Sequence, residues 1–209
     1  MKVYTYNDKV LTNSANGKWL KKYVDPYNPL GLPPFTIRIK LRSGSSAPSV
    51  GGATVTPVTG QTDVYDVCTA GDRNGNWSGL LASSALVEVL GANATGVTST
   101  SSAFVACRYL TTLPLFDTSS VTNMGAMCQA CQSLTSIPLF DTSSVTAIDY
   151  AFMGCNAVES GALALYQQLS TQATPPSYHN NTFSDCGSNT VTGAAELAQI
   201  PSEWGGTGA

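Results

Sequence analysis

The octapeptide LFDTSSVT occupies residues 115–122 and returns unchanged at residues 139–146, a displacement of 24 positions. An identical phrase at that spacing marks a chain assembled from copies of one supersecondary unit. The copying extends beyond the phrase: Val97, Val121 and Val145 align, as do Phe104, Cys128 and Phe152, then Cys107, Cys131 and Cys155, then Leu110, Leu134 and Val158. A fainter earlier copy sets Leu80 under Phe104, Ser83 under Cys107, Leu86 under Leu110 and Val89 under Leu113. A later one keeps the Phe-x-x-Cys spacing at Phe183 and Cys186, 31 residues past Cys155, after an insertion of seven.

Two periodicities alternate within each copy. Val145, Ile148, Phe152 and Cys155 lie at i, i+3, i+7 and i+10, the stripe of a short helix. Leu134, Ile137 and Leu139 then follow the spacing of a short strand, with Pro114 and Pro138 each removing a ladder donor. No single copy can bury both faces, so the pattern predicts copies stacked around one shared core as an α+β repeat solenoid. Its core would be Val97, Phe104, Cys107, Leu110, Val121, Cys131, Leu134, Val145, Phe152 and Cys155. Asp117 and Asp141 fall where strand gives way to helix, where a carboxylate accepts from exposed backbone N–H groups as a cap or Asx-turn.

Charged residues make up 11% of the chain, against about 25% in an ordinary soluble domain, so its surface is mostly neutral and polar. Residues 1–42 carry eight bases against two acids, a net +6, while residues 43–209 carry two bases against eleven acids, a net −9. Such a two-ended molecule suits a front that docks on something acidic, a protein or a nucleic acid, although a short basic stretch is also what a plain solvated face looks like. The first 23 residues contain no apolar run of the kind a secretory signal needs, and no stretch approaches the ~18 apolar residues of a membrane span. The expectation is a chain made and left in a cytoplasm, where six cysteines are thiols or ligands before they are disulfides.

Cys128-Gln-Ala-Cys131 lacks the second ligand pair of a structural zinc site. Cys131 holds the Cys position of the copy and Cys128 its Phe position, so both are read as small apolar core fillers. His179, the one histidine, has no nucleophile or orienting carboxylate beside it in the sequence. No nucleophile elbow, phosphate-cradling loop or metalloprotease helix is present, so no catalytic residue, metal or cofactor is assigned and an enzyme is not expected.

Outside the copies, FTIRIKL (35–41) alternates as a half-buried strand and DVYDVC (63–68) can pair with it, with an exposed Ser/Gly/Pro-rich loop between them. These strands, within residues 35–76, would cap the first copy, and residues 77–209 would hold the repeats and a helical cap built from ALALYQQLSTQ (162–172) and GAAELAQIPSEW (193–204). Residues 1–34 form a basic arm and Pro-rich spacer, or else fold back as an N-terminal hairpin. Tyr4, Tyr6, Lys18, Trp19, Lys21 and Lys22 in that arm are the candidate docking residues, since aromatics beside cations make good anchors.

The strings AFVACRYLTTL (103–113), SLTSIPLFDTSSVT (133–146) and AFMGC (151–155) resemble BspA-type leucine-rich repeats. The order of the YTYNDKVLTN start, the FTIR strand, these units and the GAAELAQIPSEW ending is similar to accessory virion proteins of phages infecting gut bacteria. That resemblance implies a leucine-rich-repeat solenoid held to a phage capsid or tail by its N-terminus, with host-surface glycans or proteins as ligands and no nucleic acid or membrane as partner. A homo-oligomer is one arrangement the arm allows, and localisation would be the virion. Thr111, Thr112, Thr135 and Ser136, outward on the strands, would form the ligand face. The repeats alone suggest the alternative of a BspA-like cell-surface adhesin of a gut bacterium.

Overall fold

The computed structural model describes residues 4–6, 9–11, 25, 27–69, 73, 75–82 and 85–208, the first two segments for their backbone alone. Its regular secondary structure begins with β1 (Tyr4–Tyr6) and β2 (Lys9–Leu11), paired antiparallel with Tyr4 opposite Leu11. A second, four-stranded sheet contains β3 (Thr36–Leu41), β4 (Thr54–Pro57), β5 (Val64–Cys68) and β6 (Leu86–Asn93) in the order β4-β5-β3-β6, every pair antiparallel. Two short helices follow late in the chain, α1 (Ala162–Ser170) and α2 (Val191–Leu197), with a single 3-10 turn at Ser202–Trp204.

Strand β3 forms where the alternation of FTIRIKL predicts it: Ile37, Ile39 and Leu41 are buried, and Arg38 and Lys40 face away from them. Arg38 sits opposite Asp66 on β5 and holds both its carboxylate oxygens, at 2.6 and 2.7 Å, so this cation of the basic front is already paired within the sheet. The segment read as an exposed loop contains β4, an edge strand exposed on most of its length whose Pro57 is tolerated at the edge. In β6 the register slips between Arg38 and Ile39 and between Lys40 and Leu41 of its partner. Those bulges place Leu86, Val89 and Ala92 inside although they are spaced by three.

The expected leucine-rich-repeat solenoid, with a helix and a strand in every copy, is not what the chain forms. Among the described residues the regular structure is the β1–β2 pair, the four-stranded antiparallel sheet, two short helices and one 3-10 turn, and between Ala94 and Ser160 there are only turns and isolated bridges. The backbone hydrogen bonds give the reason. In the third copy the N–H groups of Met124, Ala126, Cys128 and Ala130 donate to Ala147, Asp149, Ala151 and Met153 of the next copy, at 2.7–2.8 Å. The alternate groups of Met127, Gln129 and Cys131 close three-residue turns onto Met124, Ala126 and Cys128. With every second donor committed sideways, no α-helical i→i−4 ladder can run through the apolar stripe.

The same segment takes left-handed backbone twice in each copy, which also ends a helix. Ser102, Ala126, Tyr150 and Asn181 have φ of 53–58°, and four residues later Ala106, Ala130, Gly154 and Asp185 have φ of 57–73°. Leu81 and Gly79 donate to Ala103 and Ser101, and the Cys107 thiol donates to the Leu81 carbonyl, so the first copy is offset by 23 positions here. Leu81, not Leu80, therefore lies under Phe104. By Val87, whose carbonyl accepts from Thr111 N–H, the offset is 24.

The residues expected in the core are inside: Val97, Phe104, Cys107, Leu110, Val121, Cys131, Leu134, Val145, Phe152 and Cys155 are all 3% exposed or less. They belong to one apolar cluster that runs from Ile37 of the sheet to Trp204 near the C-terminus. Phe116 bridges Trp77 and Phe140, with ring centroids 6.0 and 5.1 Å apart. Trp77 closes the sheet end, its indole N–H donating to Thr69 Oγ1 at 2.9 Å.

The repeated phrase is explained position by position. Leu115 and Leu139 are exposed, while Phe116 and Phe140 are buried. Asp117 and Asp141 make Asx-turns, accepting from Ser119 N–H and Ser143 N–H at 3.1 and 2.9 Å. Thr118 is buried and donates its hydroxyl to the Asp141 carbonyl of the next phrase at 2.8 Å. Val121 and Val145 are buried, and the closing Thr122 and Thr146 lie on the surface.

Helix α1 occupies the place where a third phrase would fall, 24 residues after the second. Gln168 of α1 and Gln172 just beyond its end bond back to the second phrase: Gln168 Nε2 donates to the Phe140 carbonyl and Thr142 Oγ1, and Gln172 Nε2 to the Thr142 carbonyl and Oγ1. Gly161 precedes the helix at φ 101°, and a Cβ there would collide with the Ile137 carbonyl, so glycine is required. No side chain of its own caps this helix; Glu196 of α2 accepts from Leu163 N–H at 3.0 Å and Gly161 N–H at 3.4 Å.

Candidate functional site

Surface hydroxyls recur at the period of the sequence and bond along it. Thr122 Oγ1 donates to the Thr98 carbonyl and Thr146 Oγ1 to the Thr122 carbonyl, each at 3.2 Å, beside backbone bonds between the same residues at 2.9 Å. A second row is made by Thr111, which donates to the Val87 carbonyl, and Thr135, which donates to the Thr111 carbonyl, both at 3.2 Å. Successive members are about one strand spacing apart, ~4.8 Å.

Of the four residues expected on the ligand face, Thr111 and Thr135 belong to this second row. Thr112 bridges Glu88 and Ser136 bridges Ser160 through the backbone. Thr112 and Thr135 are exposed and Thr111 and Ser136 half-buried. The first row, Thr98–Thr122–Thr146, was missed by the sequence reading, although the 24-residue spacing of Thr122 and Thr146 was its visible signal. Of the docking residues, Lys18, Trp19, Lys21 and Lys22 lie outside the described residues, and Tyr4 and Tyr6 are placed only as backbone of β1.

The chemistry of the rows follows from where their hydrogens go. A threonine hydroxyl has one hydrogen and two lone pairs, and in these threonines the hydrogen is spent on a carbonyl of the preceding copy. What remains on the surface is a set of oriented acceptors. A ligand that meets them must bring O–H or N–H donors.

The buried cysteines are held inert. Cys107, Cys131 and Cys155 are buried, and their thiols donate to the carbonyls of Leu81, Phe104 and Cys128 at 2.9, 3.1 and 3.1 Å. Burial pushes the Cys128 and Cys155 thiols well above their ordinary range, and neighbouring thiols add to the effect. Burial, with a smaller contribution from Glu196, pushes Cys186 up to about 12. Such thiols are neither nucleophiles nor ready metal ligands. His179 lies flat on Trp204, ring centroids 4.0 Å apart, with Nδ1 2.9 Å from the Pro176 carbonyl. Among the described residues no three His, Cys, Asp or Glu side chains gather as a metal site, and no helix is long and apolar enough to cross a membrane.

No curated protein and no solved structure matches the chain. Residues 88–175, less than half of it, match the family described as "Mycoplasma protein of unknown function, DUF285", a family associated with BspA-like repeat proteins. The matched span includes the threonines of both rows, Thr98, Thr122 and Thr146 in the first and Thr111 and Thr135 in the second.

Proposed function

We propose that the chain is a non-catalytic adhesion module that recognises polyhydroxylated ligands, host-surface glycans above all, through its rows of threonine acceptors. The observation that carries this reading is the commitment of the hydroxyl hydrogens of Thr111, Thr122, Thr135 and Thr146 to the chain itself. Oriented acceptors at regular spacing meet the donors of a sugar chain without any rearrangement, and contacts that are weak singly add up along a multivalent surface. The neutral surface agrees with such a ligand, since only 11% of the residues are charged. The carrier in this reading is a phage particle, a capsid or tail held by the basic, aromatic N-terminal segment. The match to a cellular bacterial family favours a second carrier, the bacterial cell surface.

Binding of the fluorescently labelled full chain to intact gut bacteria tests the module. Thr111→Val with Thr135→Val should weaken cell binding at least tenfold while the melting temperature moves by only a few degrees; unchanged binding removes the rows from the account. Mass spectrometry of purified virions and of cell-envelope fractions decides the carrier: the chain in particles supports the phage reading, and its presence only in envelopes overturns it.

A further inference from the structure

A groove of about 410 Å³ opens where the second phrase meets α1, lined by Tyr27, Leu139, Asp141, Ser143, Gln168 and Gln172. It exists because the copies stop there. The next phrase is replaced by a helix, which covers the buried Phe140 and Thr142 but leaves Leu139 beside it 53% exposed.

The polar groups of this groove are fixed before any ligand arrives. Both glutamine carboxamides turn their amino groups inward, onto the Phe140 carbonyl and onto Thr142. A planar amide whose nitrogen is anchored has its carbonyl oxygen directed the other way, so Gln168 and Gln172 each hold an acceptor whose orientation is locked. Asp141 spends Oδ1 on the Ser143 N–H, and its second oxygen has no hydrogen bond among the described residues. Tyr27, also in the lining, is held by its own turn, its N–H donating to Asp25 Oδ1 at 2.9 Å. Its ring and the Leu139 side chain supply an apolar surface beside these acceptors.

We infer that this groove is a saccharide subsite for a neutral or amino sugar. The inference rests on the adhesion reading and adds the place and the charge class of the sugar. Fixed acceptors pair with sugar hydroxyls, and the C–H face of a pyranose packs on an aromatic ring; a few oriented polar groups beside apolar surface make up a small-molecule site. Among the described residues no lysine or arginine lines the groove, and Asp141 brings a negative charge, which disfavours acidic sugars.

The test is a titration of the full chain with maltotriose, cellotriose, mannotriose and chitotriose, with sialyllactose as the acidic control, followed by NMR. Tyr27→Ala and Asp141→Asn are the variants, because neither removes a buried group and asparagine keeps the Asx-turn. The expected result is saturable binding of at least one neutral trisaccharide, none of sialyllactose, and about tenfold weaker binding in Tyr27→Ala, equivalent to ~1.4 kcal/mol. Preferred binding of sialyllactose, or no binding of any neutral sugar, overturns the subsite. Neutral-sugar binding that survives both variants but falls in Thr111→Val with Thr135→Val also overturns it, and leaves the adhesion reading standing.

Discussion

Raising the pH above 9 should unfold this protein through its buried thiols, in proportion to how many of them the fold holds neutral. Burial disfavours the thiolate, so the folded chain keeps its protons to a higher pH than the unfolded chain does. Below the ordinary thiol value of 9.0 both states are protonated and the full stability is present. Above it the unfolded chain releases protons that the folded chain retains, and stability falls until pH passes the folded value, about 12 for Cys186. Each such thiol contributes a slope of about 1.4 kcal/mol per pH unit, so Cys186 alone accounts for roughly 4 kcal/mol between pH 9 and 12. Cys128 and Cys155, shifted in the same direction, steepen the fall. Urea denaturation in a reducing buffer at half-unit steps from pH 7 to 10.5 measures it, with Cys186→Ala as the internal reference because lysines and tyrosines also titrate there. The wild-type curve should be steeper than the variant's by about 1.4 kcal/mol per unit above pH 9. Parallel curves would refute the claim that the fold buries Cys186 as a neutral thiol.

Glu196→Ala removes the acceptor shared by the first N–H groups of α1 and should cost about 1–2 kcal/mol, with faster amide exchange at Leu163 and no change at Val121; Glu196→Gln should cost less. Ala130→Gly places glycine at φ 60°, as Gly154 already does one copy later, and should raise stability by a few tenths to about 1 kcal/mol; destabilisation in a thermal melt would contradict the left-handed assignment. Phe140→Ala empties a fully buried site in contact with Phe116 and should cost about 3–5 kcal/mol, lowering the melting temperature by on the order of 10 °C.

The buried residues were legible because burial follows the period: a column such as Val97, Val121 and Val145 could be read without knowing what backbone carried it. The backbone was not legible, for a specific reason. Val145, Ile148, Phe152 and Cys155 are spaced like a helix, but turns closed every three residues present the same spacing when alternate N–H groups bond to a neighbouring copy. Nor does the identity of Ser102, Ala126 or Tyr150 announce a positive φ, since none is glycine or asparagine. Strand β4 was hidden because an edge strand with both faces largely wet shows no alternation. The candidate site was half visible. Thr111 and Thr135 stood out as outward polar positions, but Gln168 and Gln172 read only as helix formers, because their role depends on a phrase more than twenty residues earlier.

Surface threonines that serve sugar recognition lose their ligand when the sugars are oxidised. Full-length protein is titrated onto host cells before and after mild periodate treatment, which cleaves vicinal diols. Saturable binding that disappears after oxidation is the predicted result. Binding that is undiminished by oxidation, or absent from untreated cells, contradicts it.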